Sequence, residues 1–69
     1  EAPPHAELLR EMLQLGATGR LRALEAQLAE LAASGGGIGA WARKMLTLAR
    51  TDGAALNDRL GEALRASRT

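Results

Sequence analysis

Leu21, Leu24, Leu28 and Leu31 stand three, four and three residues apart, and Ile38, Trp41, Met45 and Leu48 repeat that spacing further along the chain. This rhythm gathers each set on one side of an α-helix and would scatter it over both faces of a strand. The alternatives to helix are weak for a second reason. Fifteen Ala and 13 Leu supply most of the apolar residues, while Val, Phe and Tyr are absent and Ile and Trp occur once each. Strands draw on the β-branched and aromatic side chains this chain lacks, whereas Ala and Leu are among the best helix formers. The sequence therefore reads as all-α.

Breakers divide it into four helical segments. Pro3 and Pro4 suit the start of a first helix, which runs from near Pro4 to Leu15 with Leu8, Leu9, Met12, Leu13 and Leu15 as its apolar stripe. Gly16 is the expected left-handed stop and Thr18 the expected N-cap of the second helix. Ala23, Ala26, Ala29, Ala32 and Ala33 surround the Leu21–Leu31 seam, so that helix is expected to be covered on more than one side. Ser34 to Gly37, reading SGGG, predicts a flexible loop. The third helix carries Ile38, Trp41, Met45 and Leu48 inward, with Arg43, Lys44, Thr47 and Arg50 outward. Thr51 or Asp52 then caps a fourth helix bearing Leu56, Leu60, Ala63 and Leu64, in which Gly61 offers a place for close helix contact. Short connections make neighbours pack mostly antiparallel, giving a compact bundle of four short helices.

Sixty-nine residues hold one domain, expected to span 1–69 with 1–5 as a linker. The start at Glu1 and the Pro3-Pro4 pair suggest an excised piece of a longer polypeptide. Without cysteine there is no disulfide framework and no thiolate metal site. Nine basic residues against eight acidic ones leave a net charge of +1, too little for a polyphosphate-binding surface. The apolar runs are too short to span a bilayer, and the N-terminus lacks signal-peptide regions, so the chain reads as soluble and cytoplasmic.

The residues that could carry chemistry lack the company it requires. His5 is the sole histidine and adjoins the two prolines, which removes triads and histidine-based metal sites and leaves no mid-helix phosphoacceptor. Glu7 with Glu11, and Asp58 with Glu62, are each one helical turn apart among other charges, where helix-surface pairing with Arg10 and Arg59 accounts for them. Gly35 to Gly39 would open a helix as a phosphate loop does, but no strand precedes it and no Lys-Ser or Lys-Thr pair follows. The third helix begins Gly-Ile-Gly-Ala-Trp, a poor surface for reading base edges. These features predict no catalytic residue, no cofactor, no metal, no nucleic acid and no membrane contact. Trp41 has two readings: a core anchor in phase with Ile38 and Met45, or a partly exposed hot spot rimmed by Arg43 and Lys44. Asn57 is likewise either a surface residue or a buried group that fixes helix pairing.

The segments PPHAELLREMLQLG, LRALEAQLAEL, AWARKMLTLA and LNDRLGEAL, in that order, resemble the small helical domain at the extreme C-terminus of some bacterial hybrid sensor histidine kinases. The matching positions are Pro3-Pro4, Leu15-Gly16, Leu21 with Leu28 and Leu31, Trp41-Ala42, and Leu48-Ala49. Departures are the glycine-rich loop and the missing aromatic near Asp52. The resemblance implies a protein-contact role in two-component signalling, with a receiver domain or kinase core as partner and no transferred catalytic residue. A second resemblance, through LRALEAQLAELAAS and DGAALNDRLGEAL, is to docking domains of modular polyketide and nonribosomal peptide synthases, which implies a synthase subunit as partner and homodimerisation. Either way the expectation is a non-catalytic protein–protein interaction module. Trp41, Arg43, Lys44, Arg50 and Arg59 are its candidate partner-binding residues, the cations steering and orienting the partner.

Overall fold

A computed structural model describes residues 2–67 and contains four helices: α1 (Ala6–Ala17), α2 (Leu21–Ala33), α3 (Gly36–Thr51) and α4 (Gly53–Ser67). The molecule is an all-α bundle, as the leucine spacing predicts. One core joins every helix: Leu9 and Met12 from α1, Leu24 and Leu28 from α2, Trp41, Ala42 and Met45 from α3, Leu56 and Leu60 from α4. Around it the helices form a ring in which α1 meets α2, α2 meets α3, α3 meets α4, and α4 closes on α1. The junctions of α2 with α3 and of α1 with α4 are the most extensive.

The boundaries differ from the sequence expectation where glycine was taken as a stop. Gly16 lies inside α1, which ends two residues later at its C-cap, Thr18. Gly19 is the left-handed residue, with φ +75°. Its N–H bonds the Gly16 carbonyl at 3.3 Å while the Arg20 N–H reaches the Leu15 carbonyl at 2.9 Å, the paired pattern of a Schellman stop. Thr18 does not cap α2 either; its hydroxyl donates to the Gln14 carbonyl at 2.8 Å, and Arg20 takes the N-cap position without a side-chain bond.

The SGGG stretch is only half loop. Ser34 caps α2, its hydroxyl donating to the Leu31 carbonyl at 2.9 Å, and Gly35 is the N-cap of α3, so Gly36 and Gly37 already belong to the helix. Gly35 and Gly36 both have positive φ, a backbone path that side chains with a Cβ disfavour.

Between α3 and α4 only Asp52 is non-helical. Its N–H bonds the Leu48 carbonyl at 2.7 Å and its Oδ1 accepts the Ala55 N–H at 3.2 Å, so this one residue stops one helix and caps the next; of the two expected caps, Thr51 instead ends α3. Asp52→Ala is expected to lower stability by about 1 kcal/mol in chemical denaturation. A loss too small to measure would mean that water replaces the cap at no cost.

Close helix approach occurs at other glycines than the expected Gly61, where an added methyl would meet only the Arg65 guanidinium, at 3.7 Å. On Gly39 it would lie 3.1 Å from the Ala32 carbonyl oxygen, so this buried residue sets how near α3 comes to the end of α2. On Gly16 it would collide with the carboxamide of half-buried Asn57, which fills that space between α1 and α4.

Two stripe residues fall outside the core. Leu21 is 47% exposed and Ile38 39%, because each sits in the first turn of its helix, beyond the reach of its neighbours. Ala23, Ala26, Ala29 and Ala33 are also exposed, so α2 is covered on one side, not on several as expected.

Candidate protein-interaction face

Successive residues on a helix differ by about 100° in direction, so Arg43 and Arg50, seven apart, share a side that Lys44 does not. The sequence reading sets Arg43, Lys44 and Arg50 together on the outward face, and the structure divides them. Arg43 and Arg50 turn toward α2: Arg43 Nη1 donates to the Ala32 carbonyl at 3.4 Å, and Arg50 Nε lies 3.8 Å from Glu25 Oε1. The ion pair is long and its two side chains are 68% and 35% exposed, so it contributes at most about 0.5 kcal/mol. Arg43 acts more locally. Together with the Ser34 hydroxyl it answers the carbonyls that the end of α2 leaves without helical partners.

Lys44 and Arg59 stand on the other side, along the groove between α3 and α4. One stretch of this groove is lined by Lys44, Met45, Thr47, Leu48 and Arg59. Met45 and Arg59 continue into a second stretch with Pro3, Trp41, Glu62, Ala63 and Ala66. The inward stripe of α3 supplies the floor: Trp41 and Met45 are buried at 6% and 1% exposure, and Leu48 is half-buried. Trp41 is thus a core residue whose edge reaches the groove. Lys44 and Arg59 form an exposed cationic rim over that apolar floor.

Of residues 1–5, expected as a linker, Glu1 lies outside the described residues and residues 2–5 lie against the bundle. The Ala2 N–H donates to the Gly37 carbonyl at 3.1 Å, Pro4 is buried, and Pro3 lines the Trp41 end of the groove. α1 starts at Ala6 and not near Pro4, with His5 as its N-cap; its Nδ1 accepts the Leu8 N–H at 3.4 Å.

A second site escaped the sequence reading. Gln27, on the flank of the α2 seam, lines two depressions along the α1–α2 junction, and its Oε1 is buried without a hydrogen-bond partner.

Among the described residues no charged side chain is buried, and no three His, Cys, Asp or Glu are grouped to hold a metal ion. Glu7, Glu11, Asp58 and Glu62 are all exposed. Nor, among them, is any helix long and apolar enough to cross a membrane. No known protein family, curated protein or solved structure matches the chain.

Proposed function

We propose that this chain is a non-catalytic protein–protein interaction module that serves as a C-terminal regulatory domain in bacterial two-component signalling, in contact with a receiver domain or kinase core. The observation that carries the interaction reading is the α3/α4 groove, where an apolar floor lies beneath two cations. Such a surface offers two cations to orient a partner and, through half-buried Leu48, a small apolar contact. The signalling assignment rests on the resemblance to the terminal helical domains of hybrid sensor kinases.

A docking domain of a modular synthase is the second reading, favoured by the exposed alanine face of α2 with Leu21 at its start. Small side chains let a second helix come close, as homodimerising docking termini require. Sedimentation velocity combined with NMR titration against a receiver domain separates the two. The signalling reading expects a monomer whose amide shifts move on adding the receiver domain. A tight dimer with shifts along α2, and no response to the receiver domain or the kinase core, overturns it in favour of docking.

A further inference from the structure

α1 and α3 stand opposite each other in the ring of helices, yet the segment that leads into α1 reaches α3 at two successive points. The Ala2 N–H donates to the Gly37 carbonyl at 3.1 Å, and Pro3 lines a depression with Trp41, Ala63 and Ala66. Gly37 and Trp41 are one helical turn apart and therefore share a side of α3. Consecutive residues of the segment thus meet consecutive turns of one helix face, and the last turns of α4 form the other wall. Pro4 is buried and His5 caps α1, so each of residues 2–5 is engaged.

The sequence explains how so short a segment can act as a ligand. Proline holds φ near −65° and pushes the residue before it to extended backbone, so Ala2, Pro3 and Pro4 are extended before they meet the bundle. His5 continues that path, with φ −66° and ψ 164°. The steps from Ala2 to the start of α1 therefore reach about 12 Å, enough to pass from one helix to another that it does not adjoin. Little conformational freedom is lost when such a segment settles. Its setting also follows the usual mode of proline recognition, an extended backbone laid beside an aromatic side chain, and Trp41 is the one aromatic residue of the chain.

We propose that the Trp41 end of α3 and α4 is a binding seat for an extended segment with adjacent prolines, and that residues 2–4 fill it as a releasable clasp. The seat uses the Gly37 carbonyl, the Trp41 edge and the small side chains of Ala63 and Ala66, and it needs none of the cations. The clasp goes beyond the interaction reading and stands whether or not a receiver domain binds.

The test uses the full chain. Pro3→Gly combined with Pro4→Gly keeps the segment but removes its preset shape, which favours release. Trp41 emission is expected to move to longer wavelength in this variant while the circular dichroism spectrum stays that of the parent. The probe added in trans is the synthetic peptide Ala-Ala-Pro-Pro-His-Ala, blocked at both ends. It is expected to reverse the emission shift of the glycine variant. The parent should need about tenfold more peptide for any response, because its own tethered segment holds the seat. The same peptide with glycines in place of the prolines is expected to leave both proteins unchanged. Unshifted Trp41 emission in the glycine variant overturns the proposal. So does a proline peptide without effect on that variant, an equal response from the parent, or equal action of the glycine peptide. If the double variant loses helix content, Pro3→Gly alone takes its place, since Pro3 is exposed and Pro4 is the buried member of the pair, and the same outcomes decide.

Discussion

Trp41→Ala is expected to lower the free energy of unfolding by about 3–5 kcal/mol. Trp41 is the largest side chain in the core and is only 6% exposed, amid buried residues contributed by all four helices. A chain this short seldom has more than about 3–5 kcal/mol of total stability, so the variant should be mostly unfolded at room temperature. Urea titration followed by far-ultraviolet circular dichroism measures this without needing the lost fluorophore. Trp41→Phe, which retains an aromatic ring, should lose less. If the alanine variant denatured within about 1 kcal/mol of the parent, Trp41 would be a surface residue, and the core would have to be assigned to the leucines alone.

At Gly39 the expected effect is smaller and its sign depends on the residue introduced. Replacing a helix-interior glycine by alanine normally gains about 1 kcal/mol, and Gly61, with only a long guanidinium nearby, should show that gain. Gly39 should not, because a methyl group there would stand 3.1 Å from the Ala32 carbonyl oxygen, closer than ordinary van der Waals contact. Gly39→Leu adds branches that cannot avoid the end of α2 and is expected to cost about 1–3 kcal/mol. The midpoints of thermal denaturation should therefore rank Gly61→Ala above the parent and the parent above Gly39→Leu. A Gly39→Leu protein as stable as the parent would show that α3 can move away from α2 without loss.

The leucine positions were legible because burial follows helical phase, and phase is written in the sequence: Leu9, Leu24, Leu28, Leu56 and Leu60 all reach the core. The glycines were not, because one residue type serves several purposes. Gly19 ends a helix through its positive φ, Gly39 makes room for another backbone, and Gly16 makes room for Asn57. The last two depend on which helix lies opposite, which no local pattern states. Leu21 and Ile38 fitted the stripe but lie at helix starts, where phase continues after neighbours have ended.

The candidate face was legible in part. Trp41, Lys44 and Arg59 meet at the α3/α4 groove, while Arg43 and Arg50 serve the α2 side. The sequence reading puts all three α3 cations on one outward face, although helical phase sets Lys44 about 100° from Arg43. Arg59 could be placed beside Lys44 only once α4 had been set against α3.

Pro3 and Ala66 border the same depression, although they stand near opposite ends of the described chain. A short linker could join those ends without crossing the molecule, and new termini could be opened between Ser34 and Gly35, since at Gly35 the backbone leaves helical geometry. The rearranged polypeptide would keep every neighbour relation around the ring, so its circular dichroism melt should resemble that of the parent. What the core needs is the cyclic order of the four helices, whichever of them the ribosome makes first.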